Sequence, residues 1–497
     1  MKRIHVNLYL IGCCFLWLSL PAFCQKKVVE LSLSKAIEDA RSQSLNALIA
    51  TNSYIASYWQ YRQFKASQKP ALSLSSMPIQ YYRNFVKRYD SQNNVDVYMP
   101  QKSLYSSADL VATQNFALTG GTFSLESDLG YLKNYGTENY TQFSSIPFRL
   151  GYSQSLFGYN QFKWDKQIEP MRFEKAHNQL IYELENVSAT TTTYFFNFVQ
   201  YQTNVQLAKE NVAMCDTAYQ IALERQKIGN TTQAEVLTLR LNLLNAKKNL
   251  KNTAIYLEQA EKTLVTFLRY DAGTKLHIIV PKPESFIMIP TDNAIELAKK
   301  VSPKIQELKI QELSAQQNLE QIKKSRYSAS VSLSIGFNQA GNNFVDAYKK
   351  PLRQDVVSVS FNIPILDWGM NKGKIIVAEN NLNTTILSNK QTIEDFEQDV
   401  FFAVKEYNES YEQIDLANEA EHVARQAYED TFQRFMIGKA DVDALNMAQS
   451  RLSEAGSSYI NALSTYWNNY YKVRQLTLYD FSTQKPIDID VSKFEEH

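Results

Sequence analysis

Eight residues at irregular spacing, Tyr219, Arg225, Ile228, Gly229, Leu243, Ala246, Tyr270 and Asp271, recur 209 positions later as Tyr428, Arg434, Ile437, Gly438, Leu452, Ala455, Tyr479 and Asp480. The same shift lays residues 148–157, FRLGYSQSLF, on residues 357–366, VSVSFNIPIL. Upstream, Ala36 and Ile37 match Ala294 and Ile295 at a shift of 258, so the first copy holds about 49 more residues (258 − 209) between Ala71 and Phe148. One unit is written twice, and the fold must be built from two equivalent halves.

Each copy reads as a helix, two alternating apolar stretches, a very long helix, a turn at Gly229 or Gly438, and a return helix. The spacing predicts opening helices over 34–67 and 292–324, long helices over 161–228 and 371–437, and returns over 232–270 and 441–479. At 1.5 Å per residue the long helix over 161–228 spans about 100 Å and its return about 58 Å. The Pro-containing segment 273–291 interrupts that return, and the helix over 292–324 adds the missing length, about 50 Å. In the second copy the helix over 34–67 plays that part. Only 15 Gly and 13 Pro occur in 497 residues, as chains with few helix breaks require. Leu243, Leu250, Leu257 and Leu264 recur every seven residues, with Ala246, Thr253, Ala260 and Phe267 three positions later, the pattern of a coiled coil whose small residues let helices approach closely. The second copy keeps the frame with Leu452, Tyr459, Tyr466 and Val473.

The alternating stretches have period two. Val331, Leu333, Ile335 and Phe337 alternate with Ser332, Ser334, Gly336 and Asn338, and Val357, Val359, Phe361 and Ile363 alternate with Ser358, Ser360 and Asn362. That is a strand with one apolar and one small polar face. A soluble sandwich would satisfy it. The N-terminus points elsewhere: Lys2 and Arg3, an apolar run to Leu20, then Pro21, Ala22, Phe23 and Cys24, a secretory signal cleaved before Gln25. Cleavage at the lipoprotein-like stretch ending in Cys13 is the minor reading, because it would leave a strongly apolar remnant. With the signal removed, Cys215 is the one remaining cysteine and no internal disulfide is possible. Export, a Ser- and Gly-rich strand face and the aromatic connections (Tyr81, Tyr82, Tyr98, Tyr105, Tyr135, Tyr140) favour an outer-membrane barrel. Four or five strands are too few to close one, so several chains must share it.

Other classes find little support. The net charge of +1 argues against a nucleic-acid partner. His177, His277, His422 and His497 are not paired at metal-ligand spacing, and no glycine-rich phosphate loop is present, so no catalytic, cofactor or metal site is expected. A secreted, elongated coiled-coil scaffold or adhesin is the alternative reading.

The signal, the tandem order, SQSLFGYNQFKW (153–164), FNIPILDWG (361–369) and the two glycine turns together resemble the TolC family of outer-membrane efflux proteins over nearly the whole mature chain. The expected fold class is α+β: long antiparallel coiled-coil helices forming a periplasmic α-barrel, and about four strands per protomer in a trimeric twelve-stranded transmembrane β-barrel. The expected domains are a signal peptide (1–24), a first repeat (25–271, strands within 70–157 including the insertion, helical hairpin 161–270), an equatorial connection (272–291), a second repeat (292–481, strands 329–366, hairpin 369–479) and a tail (482–497). The resemblance implies a homotrimer in the outer membrane of a Gram-negative bacterium, in contact with its lipid and serving as an exit duct. Its implied partners are a periplasmic adaptor protein and an inner-membrane transporter of the RND or ABC type. The insertion between 76 and 147 either adds a hairpin or lengthens strands and extracellular loops.

Gly229 and Gly438 fit the residue after a helix C-terminus that takes a left-handed φ. Arg225 and Arg434 fall in the last turn, where a cation suits the exposed carbonyls. With Ile228 and Ile437 these turns are the expected adaptor-docking surface. The resemblance further implies an acidic constriction shortly after the second glycine, with Asp441, Asp443, Arg434 and Glu235 as candidates. Asp441 is also placed to cap the return helix. Glu235 and Leu237 lie six and eight residues after Gly229, whereas Asp443 and Leu445 lie five and seven after Gly438, which predicts a helical phase slip of about 100° at the second turn.

Overall fold

The computed structural model describes residues 28–135, 139–281 and 286–495. The signal peptide (1–24), Cys13 and part of the 272–291 connection lie outside them. The described residues of 1–48, 184–288 and 405–472 form one compact unit, and those of 49–183, 289–404 and 473–497 a second.

The chain begins with β1 (Val28–Ser32), α1 (Leu33–Gln43) and α2 (Leu45–Ser67). Four long strands follow, β2 (Ala71–Asp90), β3 (Val95–Phe116), β4 (Gly121–Tyr135) and β5 (Asn139–Ser155), and then the hairpin of α3 (Gln161–Lys227) and α4 (Gln233–Phe267). Next come β6 (Lys275–Ile279), α5 (Thr291–Val301), α6 (Pro303–Ser325), β7 (Ser328–Gly341), a one-turn helix α7 (Asp346–Lys349) and β8 (Leu352–Asn362). The second hairpin is α8 (Met370–Met436) and α9 (Val442–Thr477). Both ends of α8 stand 209 residues after those of α3 (370 − 161 and 436 − 227), so the repeat read from eight residues governs whole elements. Among the described residues no helix is long and apolar enough to cross a membrane.

Each expected opening helix is broken in two, at the same place in both copies. Ser44 (φ −64°, ψ 149°) separates α1 from α2, and Ser302 (φ −59°, ψ 128°) separates α5 from α6. The positions differ by 258. In the second copy the cause is local: Pro303 drives the preceding residue out of the helical region and suits a first helical turn, where its missing N–H costs nothing. The serine hydroxyls then cap the new helices, Ser44 Oγ accepting from Ala47 N at 3.2 Å and Ser302 Oγ from Lys304 N at 3.3 Å.

In the first unit the seven-residue stripe is the buried one. Leu243, Ala246, Thr253, Ala260 and Leu264 are buried on α4, as are Leu452 and Tyr466 on α9. β1 and β6 add a short parallel pair, Val28 opposite Lys275 through Ser32 opposite Ile279.

The second unit carries a six-stranded antiparallel sheet in the order β2-β3-β4-β5-β7-β8. By the repeat β2 corresponds to β7 and β5 to β8, which supplies four strands. The insertion supplies two more, because β3 and β4 form a hairpin between β2 and β5. Thus the insertion adds strands, and the protomer has six where the repeat alone provides four. Strand register sorts the side chains into rows. Leu72 faces Ala112, Ala112 faces Leu125, Leu125 faces Leu150 and Leu150 faces Ile335. One step along, Ala71, Thr113, Ser124, Gly151 and Ser334 form a small polar row. Neighbouring rows point to opposite faces, so one face is apolar and the other polar. The apolar row is open in the single chain: Leu72 is 69% exposed and Ile335 54%.

Candidate functional site: the paired glycine turns

The two turns are built by the same bonds. In the first, Gly229 N–H donates to Gln226 O (3.0 Å) and Asn230 N–H to Arg225 O (2.9 Å); in the second, Gly438 N–H donates to Phe435 O (3.0 Å) and Lys439 N–H to Arg434 O (2.8 Å). The last carbonyls of α3 and α8 are satisfied in this way only if the glycine takes a left-handed φ. Gly229 is at +78° and Gly438 at +76°. Three residues on, each return helix is capped at its third N–H: Thr232 Oγ accepts from Glu235 N at 3.2 Å, and Asp441 Oδ1 accepts from Ala444 N at 2.7 Å.

The expected phase slip is absent. α4 buries Val236, Leu239 and Leu243, and α9 buries Leu445 and Leu452, with Ala448 between them also buried. These pair as 236 with 445, 239 with 448 and 243 with 452, all 209 apart. Leu445 is therefore the counterpart of Val236, whereas Leu237 is 53% exposed. Matching leucine to leucine compared a core position with a surface one. Val236, Leu239, Val442 and Leu445 share one cluster with Met214, Ala218, Ala222 and Phe435, so the ends of both hairpins pack on a common apolar core.

What distinguishes the turns lies on the surface. Arg225 reaches from α3 to the second hairpin, donating from Nη2 to Phe435 O (3.0 Å) and Met436 O (2.9 Å), with its guanidinium 5.7 Å from the centre of the Phe435 ring. It thereby satisfies terminal carbonyls of α8 and places a cation at the negative end of that helix. Nothing in the spacing of the sequence signalled this bond. Arg434 is exposed and makes no ion pair among the described residues. Asp441 is occupied as a cap. Asp443, in the first turn of α9, is exposed, and Glu235 is half-buried at the equivalent turn of α4. Ile228 and Ile437, 74% and 66% exposed, leave an apolar side chain open beside each glycine. The structure therefore brings Arg225 onto Phe435 and Met436 beside Gly438, and leaves Ile228, Ile437, Arg434 and Asp443 exposed.

Residues 294–477 match a protein family described as outer membrane efflux protein. No curated protein sequence is significantly similar to the chain. Among solved structures, the CmeC outer membrane channel of Campylobacter jejuni is similar at a TM-score of 0.65 and 14% identity, over 93% of this chain and 88% of that one. The outer membrane protein VceC of Vibrio cholerae gives 0.62 and 12%, over 90% and 95%. The open state of the MtrE outer membrane channel of Neisseria gonorrhoeae gives 0.56 and 15%, over 90% and 88%. At such identities the likeness is one of fold, and it spans both copies of the repeat.

Proposed function

We propose that this chain, a TolC-like outer-membrane efflux protein by the match over residues 294–477 and by its fold, is the exit duct of a tripartite efflux or type I secretion system. Three copies place their sheets together in the outer membrane and their helical hairpins in the periplasm. A periplasmic adaptor docks on the hairpin tips and links the duct to an inner-membrane pump of the RND or ABC type. The duct conducts small molecules or proteins passively and the pump chooses them, so it needs no catalytic group of its own.

The observation that carries this reading is a sheet with an exposed apolar face and a serine-rich opposite face, in a chain none of whose described helices can cross a membrane. A lone exposed apolar face of this extent is unfavourable in water and suits hydrocarbon. The tips suit docking, because Ile228 and Ile437 offer apolar contacts beside turns whose backbone groups are already satisfied. We assign the closed constriction to the solvent-exposed charges that flank the second turn, Arg434 before Gly438 and Asp443 after it, with Asp441 acting as a cap and Glu235 in the corresponding first turn of the other return helix.

The test is paired. The expected result is heat-modifiable trimers in the outer-membrane fraction, together with higher cellular retention of an exported dye when the gene is deleted. A soluble elongated monomer would instead support the scaffold reading.

A further inference from the structure

The sheet has two unpaired edges, β2 and β8, and both are exposed along nearly their full length. A row of free N–H and C=O groups on a long strand has to be satisfied. Six strands cannot pair β8 with β2 of the same chain, since about eight are needed to close the smallest barrel. The internal repeat states what the missing neighbour is. β5 ends the strand pair of the first copy and β7 opens that of the second, and they pair antiparallel, with Tyr152 opposite Leu333 and Ser153 opposite Ser332. β8 is the repeat of β5, and β7 is the repeat of β2. The partner that β5 finds in β7, β8 must find in a β2, and the available β2 belongs to a second copy of this chain.

The register follows from the same equivalence. Ser153 plus 209 is Asn362, and Tyr152 plus 209 is Phe361. On the other strand the apolar faces must coincide, so Leu72 and Leu74 correspond either to Val331 and Leu333 or to Ala329 and Val331. The turns between helix and strand differ in length by one residue, which leaves both. Ser332, the partner of Ser153, is then equivalent to Ser73 or to Ser75. From the repeat we infer that β8 of one copy pairs antiparallel with β2 of the next, with Asn362 opposite Ser73 or Ser75, and that three copies close a barrel of eighteen strands.

This rests on the duct reading for the number of copies, and on the structure for the number of strands. The β3–β4 hairpin is inside the sheet, bonded on both sides, and is not an appended loop: Thr113 faces both Ala71 and Ser124. With strands about 4.8 Å apart and tilted by about 40°, eighteen strands give a backbone diameter of about 36 Å, against about 24 Å for twelve. The hairpin also carries charge to the wall. Along one row Ser73 faces Val111, Val111 faces Glu126 and Glu126 faces Arg149, so the Glu126–Arg149 ion pair lies on the same face as the serines. In the closed barrel that face lines the lumen.

The experiment uses the full chain with Cys215→Ser as background. Asn362→Cys is combined with Ser73→Cys in one variant and with Ser75→Cys in another, and each single substitution serves as its control. Directly opposed strand residues have Cα atoms about 4.5–5.5 Å apart, within reach of a disulfide. Oxidation is expected to give reductant-sensitive dimers and trimers for one of the two pairs and for none of the singles. Electron microscopy of the detergent-solubilised trimer is expected to count eighteen strands. Trimers that cross-link at neither pair, or a ring of twelve strands, would overturn the inference and leave the duct reading in place. A chain recovered only as a soluble monomer would overturn the duct reading itself.

Discussion

Arg225 and Arg434 hold the same place in two turns 209 residues apart, yet among the described residues Arg225 alone of the two bonds to the neighbouring hairpin, through the carbonyl oxygens of Phe435 and Met436. Two turns with matching backbones are thus tied together by one side chain. The donor comes from the first hairpin and the acceptors from the second, so losing this one side chain removes both bonds.

Replacing Arg225 with Ala removes two charge-assisted bonds, one of them solvent-exposed, at a cost of about 1–2 kcal/mol. Since about 1.4 kcal/mol is tenfold in a population, openings of the purified channel in planar bilayers are expected to become several-fold to tenfold more frequent. Arg434→Ala should leave the tip bonds of Arg225 untouched. Equal gating in the Arg225→Ala variant and the parent would show that the tie plays no part in closure.

The two glycines test the turn itself. Alanine at Gly229 or Gly438 would have to adopt a φ near +77°, costing about 1–2 kcal/mol, while Asn tolerates that region better. At Gly229 nothing lies within 4 Å of an added Cβ, and at Gly438 the nearest atom is Arg225 Nη2 at an ordinary 3.5 Å. The penalty is therefore conformational and about equal at both sites. Amide exchange at the turns should be faster in both Ala variants, with the Asn variants between them and the parent.

Much of this fold is legible because the chain says it twice. The bounds of α3 and α8 fall within a residue or so of the expected long helices, and the repeated Arg-x-x-Ile-Gly frame marks both turns. The break at Ser302 has a local signal in Pro303 that the expected unbroken helix over 292–324 passed over, whereas the one at Ser44 has no proline and becomes visible only through its repeat. The insertion stayed ambiguous because β3 mixes Leu110, Val111 and Ala112 without clean alternation, and only pairing with β2 and β4 assigns its faces. At the tip, Gly229 and Gly438 follow from local backbone chemistry. The Arg225 bond does not, since it depends on how closely α3 and α8 approach in space. The supposed phase slip arose from comparing residue types where burial was the relevant property.

Asp441 and Asp443 separate capping from gating. Asp441→Ala removes the acceptor of Ala444 N–H and should cost about 0.5–2 kcal/mol, seen as earlier proteolysis at the second turn, with Asp441→Ser close to the parent. Asp443→Asn combined with Arg434→Ala should leave that stability unchanged and, under the proposed threefold assembly of the tips, raise single-channel conductance by removing the charges assigned to the constriction. Unchanged conductance would remove Asp443 and Arg434 as gate residues.

A buried charge in the first unit offers a stability test away from the tip. Glu185 is fully buried and accepts from Arg41 Nη1 at 3.2 Å, joining α1 to α3. Arg41→Met deprives a buried carboxylate of a charged partner, at an expected cost of about 1.5–3 kcal/mol. The variant's melting temperature in detergent should fall measurably; an unchanged value would show that the remaining partners of Glu185 suffice.

In the second unit, Lys175 on α3 donates to Glu307 on α6 at 2.6 Å. This hydrogen bond, with the accompanying charge attraction, holds the Glu307 carboxyl below the usual glutamate value of 4.5, against a smaller opposing effect of burial. A carboxylate whose pKa is depressed in the folded state contributes stability that is present above the unfolded value and lost as pH falls through the folded one. Lys175→Met should therefore melt earlier than the parent at pH 7. That difference should shrink as the pH is lowered from about 4.5 through the depressed folded value, because protonated Glu307 no longer distinguishes the two proteins. A difference in melting temperature that stays constant from pH 7 down to pH 3 would mean that Lys175 acts through the packing of its methylene stem and not through its charge.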